Sequence, residues 1–198
     1  MKETLTLQFD GGSRGNPGPA GIGIVVTASD GTPLVTLGRF IGRATNNVAE
    51  YRALITAMQE ALKLGAKRIV IRGDSELVIK QMTGVYRVKH PDMKPLYEEA
   101  QDLLAQFDAA KIEHNLRGKN ELADRLANLA MDRRADVTDV DSVASELDAP
   151  APTATKAGDR FTCPRCGCAI DVRKPSSIRP HQLKPFVCQC GNKMSSVG

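Results

Sequence analysis

None of the five cysteines precedes Cys163, so no disulfide framework staples the bulk of the chain. A chain of 198 residues can bury an adequate core without such staples. The cysteines are confined to Cys163–Cys190, which points instead to a local metal-binding module. No apolar run approaches the roughly 18–20 residues of a membrane span, and no apolar stretch follows a basic one at the N-terminus. Both absences argue for a cytoplasmic protein without membrane attachment. There is no internal repeat. A large excess of one charge sign is also missing, the net charge being only +4, but the charge is unevenly spread. Residues 159–198 carry seven lysines and arginines against two aspartates, whereas 134–158 carry two against five acids. The basic end suggests a polyanion such as nucleic acid, and a solvated lysine-rich surface fits the same charge equally well.

What is present is a succession of short periodic segments. Thr4 to Asp10, Gly21 to Thr27 and Leu34 to Ile41 read as strands of an antiparallel meander, the first two joined by the glycine-rich stretch Gly11 to Gly18. Asn46 to Leu64 has apolar residues at helical spacing and is stopped by Gly65. Arg68 to Gly73 is a short buried strand, followed by a helix from about Ser75 to Gln81. A further helix is expected from Pro95 to Phe107, a fifth strand from Lys111 to Leu116, and a last helix from Glu121 to Arg134. The order β-β-β-α-β-α-α-β-α predicts an α/β fold with a mixed five-stranded sheet and helices on its faces. Residues 135–158 are acidic, then rich in Pro, Ala and Thr, and read as a linker. The expected division is a domain over 1–134, the linker, and a small module over 159–198.

Four acids stand at the ends of apolar segments: Asp10 closes a strand, Glu50 opens a helical pattern, Asp74 follows a strand, and Asp124 begins a helix. A carboxylate at a strand end or on an inward helix face is costly to desolvate unless something positive neutralises it. Oxygen donors of this kind suit Mg2+ or Mn2+. Each acid also has an ordinary reading. Asp74 before Ser75-Glu76-Leu77 is a good helix N-cap, and Asp124 could pair with Arg125 or Lys119. Glu50 lies between Ala49 and Ala53 on the stripe that should face the sheet, which is a poor place for a solvated acid.

The segments Phe9-Asp10-Gly11-Gly12-Ser13, Thr45-Asn46-Asn47-Val48-Ala49-Glu50-Tyr51-Arg52-Ala53-Leu54, Gly73-Asp74-Ser75 and Asn120-Glu121-Leu122-Ala123-Asp124-Arg125-Leu126-Ala127-Asn128 resemble, in order, the motifs of type 1 ribonuclease H. The resemblance covers about residues 1–134. It implies a ribonuclease H-like fold and an endonuclease that hydrolyses the RNA strand of RNA/DNA hybrids with two Mg2+ or Mn2+ ions per active site. It also implies roles: Asp10 between the two ions, Glu50 and Asp74 toward the leaving group, Asp124 toward the water. Gly11, Gly12, Ser13, Asn16, Asn46 and Asn47 match positions that meet the hybrid across its minor groove, and Arg43 and Thr45 match a phosphate pocket for the DNA strand. Thr45 or Asn47 would also serve as a helix cap. Two departures stand out. Many relatives carry a histidine in the loop before the last helix, whereas Arg117-Gly118-Lys119 has none. His114 reads as a partly buried strand residue and His90 as a loop residue. Gly84 to Lys94 is too short for the basic helix that some members use to grip the hybrid, and Tyr86, Arg87, Lys89 and Lys94 are its nearest substitutes.

Cys163-Pro164-Arg165-Cys166 and Cys188-Gln189-Cys190 look like the two halves of a zinc ribbon, with Cys163, Cys166, Cys188 and Cys190 as ligands of a structural Zn2+. Cys168 could replace Cys166, and His181 any one ligand. Around them Arg160, Arg165, Arg173, Lys174, Arg179, Lys184 and Lys193, with Phe161 and Phe186, could contact phosphates and stack on bases. A protein-docking role fits the same residues. The expected whole is a monomeric ribonuclease with a tethered nucleic-acid-binding module. The alternatives are a non-catalytic hybrid- or RNA-binding adapter, and a nuclease acting on duplex RNA or RNA-DNA junctions.

Overall fold

The structure is a computed structural model that describes residues 4–114, 120–138, 160–163, 166–171 and 195–197. The chain divides into two compact units, Met1–Val143 and Ala144–Gly198.

Within the first unit the elements are β1 (Thr4–Ser13), β2 (Gly18–Thr27), β3 (Pro33–Ala44), α1 (Asn46–Lys63), β4 (Arg68–Gly73), α2 (Glu76–Met82), a 3₁₀ turn (Pro91–Met93), α3 (Lys94–Leu104), β5 (Ala109–His114) and α4 (Glu121–Arg133). The sheet runs β3-β2-β1-β4-β5. β1 pairs antiparallel with β2, and β2 with β3, while β1, β4 and β5 are parallel. This is the mixed five-stranded ribonuclease H-like sheet expected from the sequence.

Strand periodicity decides which faces are filled. In β1, Leu5, Leu7 and Phe9 are buried and alternate with half-buried polar positions. These residues join Ile22, Ile24, Val26, Ile69 and Ile71, and the α1 residues Ala53, Leu54, Ala57 and Met58, in the main core. Fully burying each large aliphatic side chain contributes about 1.5–3 kcal/mol. Tyr51 is also fully buried and donates its hydroxyl to Gln81 Oε1 at 2.7 Å, which satisfies the one polar atom that its burial would orphan. Thr45 caps α1, its hydroxyl oxygen accepting from the Val48 N–H at 3.4 Å.

The opposite face of the sheet belongs to α4, and it is made of glycine. A Cβ at Gly23 would overlap the Ala123 carbonyl, one at Gly38 would sit 2.5 Å from Leu126 O, and one at Gly21 would sit 2.6 Å from Ala127 O. The helix backbone therefore lies directly on the strands, and Val25, Ala123, Leu126 and Val137 form a second, smaller core there.

Two features differ from the sequence expectation. The stretch Gly11 to Gly18 is not mainly turn: β1 continues to Ser13 and β2 starts at Gly18, with Gly11 opposite Ile22 and Gly12 opposite Gly21. Gly11 is there because a Cβ would collide with the backbone of Ala49 and Glu50, so its smallness matters more than its flexibility. Past α4 the chain does not leave the body at residue 134. Val137 is buried and exchanges both backbone hydrogen bonds with Gly38, at 2.7 Å each. A single valine in an acidic stretch has no periodicity to announce it.

The second unit contains β6 (Arg160–Thr162), β7 (Ala169–Asp171) and β8 (Ser195–Val197), an antiparallel sheet in the order β7-β6-β8. Among the described residues no helix is long and apolar enough to cross a membrane.

Gly23→Ala should force α4 off the sheet. Overpacking of this kind costs about 1–3 kcal/mol or more, so the melting temperature should fall by several degrees. Gly31→Ala meets no atom within 4 Å and, though strained at φ +88°, should cost less. Equal melting temperatures for the two variants would contradict the close approach of helix and strand.

Candidate active site

Register places the first pair of acids. Phe9 pairs with Gly73 across the parallel strands β1 and β4, so Asp10, which lies within β1 and does not close it, and Asp74, the residue after β4, follow side by side. A Cβ at Gly73 would lie 2.4 Å from the Phe9 ring, so the glycine leaves room for that ring. The carboxyl ends of parallel strands are where open α/β sheets present their ligands. Glu50 arrives on the first turns of α1, and Asp124 on the first turn of α4. All four line one open cleft of about 370 Å3, with Gly11, Gly12, Ser13, Arg14, Asn46, Ala127, Asn128 and Met131.

Hydrogen bonds orient the acids individually. Glu50 Oε2 accepts from the Ser75 hydroxyl at 2.6 Å, and Glu50 Oε1 from Asn46 Nδ2 at 3.0 Å. Asp124 Oδ1 accepts from Asn128 Nδ2 at 2.9 Å, one helical turn on. Asn120 is only 3% exposed and donates from Nδ2 to Phe9 O at 2.7 Å, while its backbone carbonyl accepts from the Asp124 N–H at 3.1 Å. It therefore ties the start of α4 to the residue before Asp10. Asp74 does not cap α2; Ser75 does, its oxygen accepting from the Val78 N–H at 3.4 Å. Asp74 is thus left for the cleft, and the N-cap reading of this acid is excluded.

The charges oppose one another. Burial, then the carboxylates of Asp74, Asp124 and Glu50, push Asp10 up to about 7, against a backbone hydrogen bond from Gly11 that lowers it. Glu50 is raised as well, chiefly by burial, with Ser75 acting in the opposite sense and Asp74 adding to the rise. A cluster of oxygen donors crowded in this way suits hard divalent cations, whose charge offsets both the burial of the carboxylates and their mutual repulsion.

Other residues singled out from the sequence fall around this centre. Gly11, Gly12, Ser13 and Asn46 line the cleft. Asn16 joins them indirectly, its Oδ1 accepting from the Asn46 N–H at 3.1 Å. Arg43 and Asn47 are exposed and Thr45 half-buried where β3 passes into α1, outside the cleft lining. His114, expected to be partly buried, is exposed at the end of β5, with Nε2 3.2 Å from the Asp74 carbonyl. The loop over residues 115–119 lies outside the described residues. Arg14 was not anticipated: it lines the cleft and bridges to Asp132 Oδ1 at 2.5 Å, joining the β1–β2 hairpin to α4. No local pattern connects residues 118 positions apart. Asn128, one turn from Asp124 on a helix already suspected, could have been found by spacing alone.

Of the cysteine set, Cys163, Cys166 and Cys168 come together, with one sulfur from each within 4.8 Å of the others. Cys188, Cys190 and His181 lie outside the described residues.

The raised Asp10 makes metal-free stability depend on pH. Its folded value of about 7 exceeds the ordinary 3.8, so the folded state favours the protonated form. Stability should therefore fall as pH rises from about 4 to 7, by at most about 4 kcal/mol. In a chelator Asp10→Asn should melt higher than the unaltered protein at pH 8 and no higher at pH 4. Indistinguishable melting curves at pH 8 would rule out the crowding of the four acids.

A family model described as reverse transcriptase-like matches residues 8–130. The bifunctional protein Rv2228c of Mycobacterium tuberculosis is 49% identical over 144 residues, 72% of this chain but only 40% of that protein. The chain thus spans about two fifths of that curated relative. The crystal structure of RNase H1 from Halobacterium salinarum superposes with a TM-score of 0.64 at 48% identity, covering 66% of this chain and 98% of that one. LC11-RNase H1 in complex with an RNA/DNA hybrid gives a TM-score of 0.62 at 41% identity, covering 66% and 98%. Strand order alone would show a fold, but identity approaching one half across the stretch that carries all four carboxylates shows kinship, and the chain belongs to the type 1 ribonuclease H family.

Proposed function

We propose that the chain is an endoribonuclease that hydrolyses the RNA strand of RNA/DNA hybrids, with Asp10, Glu50, Asp74 and Asp124 holding two divalent ions, Mg2+ or Mn2+. One observation carries the reading: four carboxylates from four separate elements converge in a single open cleft, at the cost of driving Asp10 to about 7. The relative whose structure contains an RNA/DNA hybrid supports the choice of substrate.

When bound, the ions would hold the attacking water and stabilise the leaving 3′ oxygen. The chain's own residues prepare the place for that chemistry. Asp10, whose carboxyl feels those of Asp74, Asp124 and Glu50, would help to hold both ions. Glu50 and Asp74 would serve the leaving-group side, with Glu50 held in one orientation by Ser75 and Asn46. Asp124 would serve the water side, held by Asn128. Asn16 and Asn46, already joined to each other, would meet the sugars and bases of the hybrid's minor groove, beside Gly11, Gly12, Ser13 and Asn47. Arg43 and Thr45 would receive a phosphate of the DNA strand. With no histidine at Arg117-Gly118-Lys119, no imidazole of that loop would move a proton, and turnover should be slower than where such a group adds about 10²–10⁴-fold.

The C-terminal module we assign to substrate capture. Its basic residues, tethered through residues 139–158, would raise the local hybrid concentration, and a structural Zn2+ on Cys163, Cys166, Cys188 and Cys190 would hold it together. The protein would act as a cytoplasmic monomer.

Labelled RNA/DNA hybrid should be cut in its RNA strand with Mg2+ or Mn2+, in preference to duplex RNA, duplex DNA and a single ribonucleotide in DNA. Asp10→Asn should lower the rate by more than about 10²-fold. Tight hybrid binding without cleavage in either metal would replace the nuclease reading with that of an adapter. Removal of residues 139–198, which spares the buried Val137, should raise the hybrid concentration needed for half-maximal rate and leave single-turnover cleavage nearly unchanged; loss of the chemical step would contradict this division of labour.

A further inference from the structure

Away from the carboxylate cleft, three sulfurs on the β6–β7 hairpin stand close enough together to hold a metal ion. β6 and β7 are in register through Phe161 opposite Ile170 and Thr162 opposite Ala169. The connection folds back on itself: the Cys163 N–H donates to Cys168 O at 2.9 Å, and the Gly167 N–H donates to Cys163 O at 2.9 Å. Gly167 adopts φ +73°, the left-handed conformation that lets the chain reverse between Cys166 and Cys168. The reversal turns all three side chains to one side. Their sulfurs lie within 4.8 Å of one another, with Cys166 Sγ 3.4 Å from Cys168 Sγ.

Those separations can be compared with what a metal needs. Four thiolates placed tetrahedrally about 2.3 Å from one Zn2+ stand about 3.8 Å from each other. Cys166 and Cys168 already meet that spacing within a few tenths of an ångström, and Cys163, only 2% exposed, supplies the inner corner. Three thiolates this close would repel strongly without a soft cation, and thiolate-only sites select Zn2+ in preference to Mg2+ or Mn2+.

We propose that Cys163, Cys166 and Cys168 together are three ligands of one Zn2+, so that the hairpin contributes three thiolates and not two. This deepens the zinc assignment made above, on which it rests, and changes its ligand set. With three positions filled by the hairpin, a four-coordinate ion has room for a single further ligand. Of the five thiols in the chain, at least one therefore stays off the metal.

The test uses the full chain purified with zinc. Elemental analysis should give one zinc per chain, and a thiol reagent such as DTNB should react rapidly with one or two thiols and with the others only after chelation. Exchange to Co2+ should give sulfur-to-metal charge transfer of at least three-thiolate intensity. Cys168→Ser should weaken zinc binding, read by competition with a chromophoric chelator, by more than about tenfold and as much as Cys166→Ser does. Cys168→His keeps a ligand at the same place, so it should retain zinc and lose one thiolate's share of the Co2+ band. If Cys168→Ser leaves affinity and Co2+ band unchanged, Cys168 is the spare thiol, the proposal fails and the two-plus-two ligand set stands. If no zinc is bound and all five thiols react at once, both assignments fail.

Discussion

Four carboxylates held in one cleft repel each other, and the rest of the domain is arranged to hold them against that repulsion. Burial first, and then the neighbouring carboxylates, push Asp10 up to about 7. What holds the group together is backbone rather than side-chain pairing. Two acids are fixed by strand register, Phe9 opposite Gly73. The other two ride on helices whose backbones are seated on glycine, α1 at Gly11 and α4 at Gly21, Gly23 and Gly38. A side chain at any of these positions would move an acid. The tightest packing and the most strained electrostatics therefore occur at the same end of the sheet, as expected where preorganisation serves a ligand.

Hydrogen bonds then fix the acids one by one. Ser75 illustrates the economy of the arrangement: its oxygen accepts from the Val78 N–H to cap α2 while its hydroxyl proton goes to Glu50. Asn120 likewise serves two elements, bonding β1 through its side chain and the first turn of α4 through its backbone. Such shared residues make site and fold inseparable.

The sequence made the acids legible because each sits where an apolar period stops, and apolar periods survive in local sequence. The element order was legible for the same reason, since the apolar period changes from two in strands such as β1 to 3.6 in helices such as α1. The glycines were misread in one respect. Gly11 and Gly12 suggested a turn and proved to be paired strand, because a sequence does not distinguish a glycine needed for flexibility from one needed for smallness. Partnerships across long stretches of chain, Arg14 with Asp132 or Val137 with Gly38, were invisible, since neither residue of such a pair alters the pattern around the other. The sequence weighed Cys168 only as a stand-in for Cys166. The hairpin reversal at Gly167 turns it from a substitute into a neighbour.

The position of Val137 has a further consequence. β3 is an outer strand of the sheet, and an outer strand presents unpaired N–H and C=O groups that can recruit another chain. By exchanging both backbone hydrogen bonds with Gly38, the residues that follow α4 occupy part of that margin with a short piece of the same chain. The residues that follow α4 thus shield part of the edge at which a second chain could pair.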